Sequence, residues 1–288
     1  MIVLNERKYA ERVIANGDMG KSPMFAAWRV VKYYYALGYK KADVKRCVMG
    51  LLQNTSLLYD WKAEKYEPMV DKILDRAKKV PLVEIDSLTV TMTEMEKIDM
   101  FRDISVRKLA FTLLLLAKYH TLIKPESDHW VNESDSELFN LANVKTSRKR
   151  HGVLLHILYQ NGLIDFSEAT NSNSIHVLFV DDAAVPAVSI TDMRNIGNQF
   201  CQYVGAGRFA PCQICGKIVQ VKGIKLKQVR CEEHKVADER NQVVECKDCH
   251  KIFVRERGQR TDVCPRCNTY RRNLLRKTRT FQPVFGIS

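Results

Sequence analysis

Apolar side chains recur at helical spacing through most of the first eighty residues. The stretch 21–54 contains two helical segments that are separated near Gly38, and a third segment covers residues 66–79. We therefore expect a small helical domain over residues 1–100. Its many aromatic residues are expected to form the core, and a stacking platform for single-stranded nucleic acid is the alternative.

The segment 103–182 has a different order of elements. Its pattern predicts a long helix, a short strand, a helix opened by the capping box of Ser134 and Glu137, a helix that starts near Ser147, and two final strands. This order is typical of the winged helix-turn-helix, which we assign to residues 101–185. The helix that starts near Ser147 is then the recognition helix, which enters a major groove of DNA.

The string LLHILYQNGLIDFS at residues 154–167 resembles the end of the recognition helix and the first wing strand in many bacterial and phage winged-helix proteins. The resemblance implies DNA binding, although some winged helices contact proteins instead. The basic tip of the recognition helix would be Arg148, Lys149 and Arg150. Its inward side would be Val153, Leu154, Ile157 and Leu158, and the loop at residues 171–174 would be the wing.

The N-terminal block carries a second, looser resemblance. It is similar to small helical domains appended to phage and plasmid replication proteins and primases. The matching positions are Gly38, Tyr39, Asp43, Val44, Ile73, Ala77, Lys78 and Lys79.

The connecting segments have weaker patterns. Between the two domains we expect a strand near Leu88–Met92 and a short helix after Thr93. The stretch 181–190 is predicted to be a linker. A linker helix that is capped by Thr191 is expected within residues 186–209.

Cysteines are concentrated near the C-terminal end in two sets with the spacing of metal ligands. Each set has two C-x2-C or C-x2-H pairs, which is what a tetrahedral zinc site requires. We predict two zinc ribbons, at residues 210–240 and 241–288, which bind two Zn²⁺ ions. Their ligands would be Cys212, Cys215, Cys231 and His234 in the first, and Cys246, Cys249, Cys264 and Cys267 in the second.

The string CKDCH at residues 246–250 also matches the attachment site of c-type haem. Aligning CQICGKIV with CKDCHKIF makes the two ribbons a repeat and places His250 opposite Gly216. His250 is therefore predicted to be a turn residue beside a zinc knuckle rather than a haem ligand. Since each site has four candidate ligands, both are predicted to be structural and closed to substrate.

Positive charge is concentrated in the same region. The last 84 residues contain 19 of the 46 Lys and Arg residues but 8 of the 33 Asp and Glu residues, a net charge of +11 against +2 for the rest. A basic module of this kind indicates a polyanion partner, although a solvated basic helix is the alternative. The candidate phosphate contacts are Arg255, Arg257, Arg260, Arg271, Arg272, Arg276, Lys277 and Arg279.

No enzyme signature is found in the sequence. There is no P-loop, no nucleophile elbow and no dinucleotide-binding motif. HNH nucleases also contain paired C-x2-C knuckles, but none of the seven histidines has the context of their catalytic base. The N-terminus lacks the apolar core of a signal peptide, and the run at residues 109–117 is too short to cross a membrane. We expect a non-enzymatic cytoplasmic protein, in a bacterial host cell if it is phage-encoded.

The sequence thus predicts a mainly α protein with small β elements that binds nucleic acid, most simply duplex DNA. It would regulate transcription or organise a replication origin, and a phage or mobile element would encode it. The alternatives are an adaptor that contacts a polymerase or replication protein, and an RNA-binding zinc-ribbon protein. Neither a membrane nor a small-molecule substrate is expected.

Overall fold

The computed structural model describes residues 2–17, 19, 22–55, 62–168, 174–213, 215–221, 229–231, 242–250, 252–255, 261–264 and 266–272. This part of the chain is mainly helical with four small antiparallel sheets, as the sequence predicts. The chain divides into two compact units, Met1–Val229 and Arg230–Ser288. None of the described helices combines the length and the apolar character that a membrane span requires.

The first unit begins with a bundle of four helices. The first of them was missed by the sequence reasoning, because its apolar positions are sparse and its cap is an asparagine, Asn5, whose side chain accepts from the backbone N–H of Lys8. The bundle core consists mostly of Ala and Val, and those of α2 pack against Val, Leu and Ala of the other helices. The helices are α1 (Glu6–Asn16), α2 (Pro23–Ala36), α3 (Lys41–Asn54) and α4 (Ala63–Ala77).

A buried carboxylate ties α1 to its surroundings. Glu6 is 5% exposed, and it is paired with Lys32 of α2, which is itself 3% exposed. Arg29 lies 3.6 Å from the same carboxylate, and the backbone N–H of Val83 donates to it at 2.9 Å. Because an unpaired buried charge is costly, these partners fix α1 against both α2 and the segment that leads out of the bundle.

The second core of this unit is built around one long helix, α6. Every residue from Leu109 to Lys118 is buried, so the helix is covered on all sides. Asp103 caps it by accepting from the N–H of Ser105, and the helix starts near Asp103, as the sequence predicts. The elements around it are β1 (Leu88–Thr91), α5 (Met92–Asp99), α6 (Ile104–Ile123), a 3-10 turn (Pro125–Ser127), β2 (Trp130–Val131), α7 (Asp135–Leu141), α8 (Arg148–Gln160), β3 (Ile164–Phe166), β4 (Ile175–Val177), β5 (Pro186–Ile190) and α9 (Ile196–Tyr203).

Three of the short strands form one sheet in the order β2-β4-β3. Both strand pairs are antiparallel. Trp130 lies opposite His176, and Ile164 lies opposite Val177. The capping box of Ser134 and Glu137 opens α7, as predicted. Three helices and a three-stranded sheet therefore follow one another in the predicted order.

The prediction of a linker at residues 181–190 is wrong for the second half of that stretch. Residues Pro186–Ile190 form β5, which pairs antiparallel with β1 and places Ile190 opposite Leu88. The partner strand lies about a hundred residues earlier, so no local pattern reveals the pairing. The helix expected to start at Thr191 begins instead at Ile196, after a residue, Asn195, in the left-handed conformation.

Helix α9 packs against the turn between α7 and α8 through a glycine. A Cβ atom on Gly197 would lie 1.7 Å from the carbonyl oxygen of Ala142, so the two backbones are in close contact. Beside this contact, Asn143 donates to the buried side chain of Asn198 at 2.6 Å. A glycine at position 197 is therefore required for α9 to pack this closely against the turn after α7.

Two hairpins complete the fold. In the first unit, β6 (Phe209–Pro211) pairs with β7 (Ile218–Gln220), and the side-chain amides of Asn195 and Asn198 both donate to the carbonyl of Ile218 at 3.2 Å. The first hairpin is thus bonded to α9. In the second unit, β8 (Gln242–Glu245) pairs with β9 (Ile252–Arg255), and residues 266–272 are helical.

The Gly197 contact leads to a stability prediction. Gly197→Ala is expected to lower the free energy of unfolding by about 2 kcal/mol or more, since the methyl group must displace backbone atoms. The matched control is Gly50→Ala in the interior of α3, where an added Cβ meets nothing within 4 Å. That change is expected to stabilise the protein by about 0.5–1 kcal/mol. Urea unfolding followed by circular dichroism measures both, and equal midpoints would contradict the assigned contact.

Candidate metal centres and nucleic-acid surface

Four cysteines in the second unit converge on one point. The sulphur atoms of Cys246, Cys249, Cys264 and Cys267 lie within 4.8 Å of one another. Two of the separations are 3.7 Å, between Cys246 and Cys267, and 3.8 Å, between Cys249 and Cys264. Four sulphurs bound at about 2.3 Å to one tetrahedral zinc ion would lie about 3.8 Å apart. The cluster therefore has the dimensions of a four-thiolate metal site, whereas a disulfide would need about 2.05 Å.

The β8–β9 hairpin builds this site. Cys246 follows the end of β8, and the chain reverses through His250, whose φ of 56° is left-handed and whose N–H donates to the carbonyl of Cys246 at 2.8 Å. This confirms His250 as the turn residue. Its ring nitrogen Nδ1 lies 2.9 Å from a carboxylate oxygen of Glu245. Cys267 lies in the helical segment 266–272.

Backbone N–H groups point at the sulphur of Cys246. The N–H of Cys264 donates to it at 3.2 Å. Burial acts to raise the pKa of this thiol, but the N–H groups of Cys264, Asp248 and Cys249 outweigh it and lower the pKa to about 6. The site therefore favours a thiolate, which is the form that binds a metal ion.

The other cysteine cluster has the same local design; it comes first in the chain and is called the first cluster, and the four-cysteine set is the second cluster. The sulphur atoms of Cys212, Cys215 and Cys231 lie within 4.8 Å of one another and could hold a metal ion. Gly216 has a φ of 74°, and its N–H donates to the carbonyl of Cys212 at 2.8 Å, as that of His250 does to Cys246. The equivalence of these turns, predicted from the repeat, is confirmed. His234, the predicted fourth ligand, lies outside the described residues.

An arginine that the sequence reasoning missed supports the turn that carries Cys212 and Cys215 in the first cluster. Arg194 donates to the carbonyl of Cys215 at 2.8 Å and is held by a two-pronged pair with Asp192. Burial acts to lower the pKa of Arg194, but its hydrogen bonds to Asp192 outweigh this and raise it. A permanent positive charge thus lies next to a cluster of thiols. No local motif signals this role, because the contact joins residues 21 positions apart.

The tip of α8 presents the basic residues predicted there. Arg148, Lys149 and Arg150 are all exposed. Arg150 lies 3.5 Å from Asp103, so part of its charge is neutralised. Arg148 and Lys149 make no ion pair within the part of the chain that the structure describes. They leave two positive charges at the N-terminal end of the helix.

The outward face of α8 differs from the prediction at one position. Val153 was expected to face inward, but it is 49% exposed, and Leu155 is buried in its place with Leu154 and Leu158. Helix α8 is fixed at its start by His151, whose ring stacks on Phe139 of α7 at 3.6 Å. The sequence reasoning missed an exposed aromatic pair, Tyr159 and Phe166, whose rings lie 5.5 Å apart.

The other candidate phosphate contacts are described only in part. Arg271 and Arg272 are exposed in the helical segment 266–272, and Arg271 is paired with Asp248 in the turn of the cysteine hairpin. Arg255 ends β9, with only its backbone described. The remaining candidates lie outside the described residues, namely Arg257, Arg260, Arg276, Lys277 and Arg279.

No family model, curated protein or solved structure matches the chain.

Arg194 leads to a prediction about metal affinity. Arg194→Leu is expected to weaken metal binding at the first cysteine cluster by about 10–100-fold, since it removes the cation and the hydrogen bond that orient the knuckle. Chelator competition, followed by metal release, measures this. The second cysteine cluster is the internal control, and its release should not change. If the first cluster of Arg194→Leu released its metal at the same chelator concentration as the first cluster of the wild type, the role of Arg194 would be contradicted.

Proposed function

We propose that this chain is a zinc-containing protein that binds duplex DNA. In this proposal α6, α7 and α8 with the sheet β2-β4-β3 form a winged helix, and α8 is the recognition helix. The observation that carries the proposal is the pair of unneutralised charges, Arg148 and Lys149, at the exposed start of α8.

The position of these charges supports the proposal. Helix α8 buries Leu154, Leu155 and Leu158 against the core, and its opposite face, which includes Lys149, Val153 and His156, is exposed. In helix-turn-helix proteins the N-terminal residues of the second helix contact base edges in the major groove. Arginine and lysine at that place can bind guanine or phosphate.

The two cysteine clusters are proposed to bind zinc. Thiolates select soft or borderline ions, and zinc in particular forms closed four-ligand structural sites. The separations of 3.7 and 3.8 Å in the second cluster fit a tetrahedral zinc ion. In the first cluster, His234 is the proposed fourth ligand. Each ion would stabilise its hairpin, and the basic C-terminal residues would add phosphate affinity.

A second candidate function is contact with a protein machine such as a polymerase. One observation favours it, namely that Tyr159 and Phe166 place two large aromatic side chains on the surface beside the free face of α8, 45% and 39% exposed. Aromatic residues of this kind are enriched at protein interfaces. This function predicts little autonomous affinity for DNA, so a duplex titration separates the two.

The DNA proposal predicts the effect of charge reversal. Arg148→Glu combined with Lys149→Glu is expected to weaken duplex binding by about tenfold or more, and to lower the slope of log affinity against log salt by about 1–2. Fluorescence anisotropy with labelled duplex pools, titrated at several salt concentrations, measures both quantities.

The matched control reverses two charges elsewhere. Lys78→Glu with Lys79→Glu alters an exposed end of α4 in the helical bundle and should leave duplex affinity near wild type apart from a small non-specific loss. Equal affinities for the α8 variant and the wild type would refute the recognition-helix assignment. Tighter binding of single strands or structured RNA than of duplex would instead favour the RNA alternative.

A further inference from the structure

Two histidines and an aspartate meet beside the three-stranded sheet, away from the cysteines. One ligand atom each from Asp128, His129 and His176 lies within 4.8 Å of the others. Asp128 and His129 directly precede β2, the edge strand, and His176 is the central residue of β4. Neither the predicted nucleic-acid contacts nor the thiolate clusters use these three residues.

The backbone turns His129 toward its partners. Trp130 and His176 are register neighbours on adjacent strands and share one face of the sheet. In a regular strand His129 would face the opposite side from Trp130. Asp128 and His129 instead have φ values of 42° and 63°, so the alternation is interrupted at this point. Left-handed backbone costs energy in non-glycine residues, and two in succession indicate that surrounding contacts impose it.

Those contacts come from the protein itself. The N–H of His129 donates to the hydroxyl of Thr121 on α6 at 3.0 Å, and its carbonyl accepts from Val177 of β4 at 3.2 Å. The ring of His176 stacks on Trp130, with centroids 4.8 Å apart and planes 12° apart. The backbone of His129 and the ring of His176 are therefore placed before any ion binds.

The chemistry of the set selects a class of ion. Two imidazoles and a carboxylate suit zinc, nickel, copper or iron(II) and do not suit calcium or magnesium, which prefer oxygen ligands. Three protein ligands leave a further coordination position for water. Ligand atoms around a tetrahedral ion of this kind lie about 3.3 Å apart. The Asp128 carboxylate lies 4.0 Å from Nδ1 of His129, somewhat beyond that separation. Its side chain is 76% exposed, so a change of rotamer can bring the carboxylate closer.

We propose that Asp128, His129 and His176 bind one divalent transition-metal ion at a site separate from the two cysteine clusters. The bound ion joins the turn after α6 to strand β4 and so clamps β2 onto the sheet. With no thiolate ligand and an exposed carboxylate, the site exchanges its ion more readily than the cysteine clusters do.

Cobalt is the probe for the test. The protein is first given two equivalents of zinc, which the thiolate clusters bind in preference to the histidine and aspartate ligands, and is then titrated with Co²⁺ by calorimetry and absorption. The expected result is one further equivalent of Co²⁺ with weak visible bands and without intense near-ultraviolet absorption, because thiolate-to-cobalt charge transfer requires sulphur ligands. Intense near-ultraviolet absorption would mean that cobalt enters a cysteine cluster, and would count against the site.

The variants are chosen to keep the fold. Asp128→Asn keeps the shape of a residue that tolerates left-handed backbone, and His176→Phe keeps the stack on Trp130. Each is expected to weaken the additional binding at least tenfold. His156→Ala removes an exposed histidine of α8 outside the cluster and should bind as wild type does.

Two results would overturn the proposal. One is the absence of an additional equivalent in the wild type, and the other is undiminished binding in both Asp128→Asn and His176→Phe. The test uses no nucleic acid, so its outcome is independent of the proposed DNA-binding function.

Discussion

The burial of α6 on every side is the constraint on which the larger unit depends. A helix whose residues 109–118 are all buried must be covered by other elements all round, and α5, α7, α8, α9 and the small sheets supply that cover. The run includes one charge, Lys118. Its ammonium group lies 2.8 Å from Glu94, which is fully buried, and 2.6 Å from Asp182. Removing one partner of such a pair costs about 3–5 kcal/mol.

Glu94 has a second task that links distant parts of the chain. One carboxylate oxygen accepts from the N–H of Thr91, which closes the capping box of α5, and the other accepts from the N–H of Asp181 just after β4. The cap of a short helix, the buried lysine of α6 and the exit of the sheet therefore share one side chain. Glu94 thereby holds the end of β1 next to the segment that leads into β5, the strand with which β1 pairs.

Local patterns predicted the elements whose causes are local. The capping box at Ser134, the start of α6 near Asp103 and the turn equivalence of Gly216 and His250 could be inferred because each depends on residues a few positions apart or on an internal repeat. Strand β5 could not, because its pairing with β1 is set by contacts across the fold. The same holds for Val153, whose exposure depends on how α8 lies across α6 and α7 rather than on spacing within α8.

The candidate site residues also fall into those that local spacing reveals and those that only the folded chain brings together. Metal-ligand spacing identified the cysteines, while the supporting Arg194 and the cluster at Asp128, His129 and His176 depend on tertiary approach. A histidine next to an aspartate in a loop carries little information by itself. The pair becomes a candidate metal site only in the folded chain, where β4 places His176 next to it and the backbone of Asp128 and His129 is left-handed.

Helix α9 is the element that joins the first cysteine cluster to the helical surface. Gly197 brings its backbone against Ala142 at the turn between α7 and α8, and Asn198 accepts from Asn143 on one side and donates to Ile218 on the other. Arg194, just before the helix, holds the carbonyl of Cys215. A series of backbone contacts and hydrogen bonds thus runs from Cys215 to the turn between α7 and α8. Cys212 and Cys215 accordingly belong to the same compact unit as α8, while Cys231 and the four cysteines of the second cluster belong to the other unit.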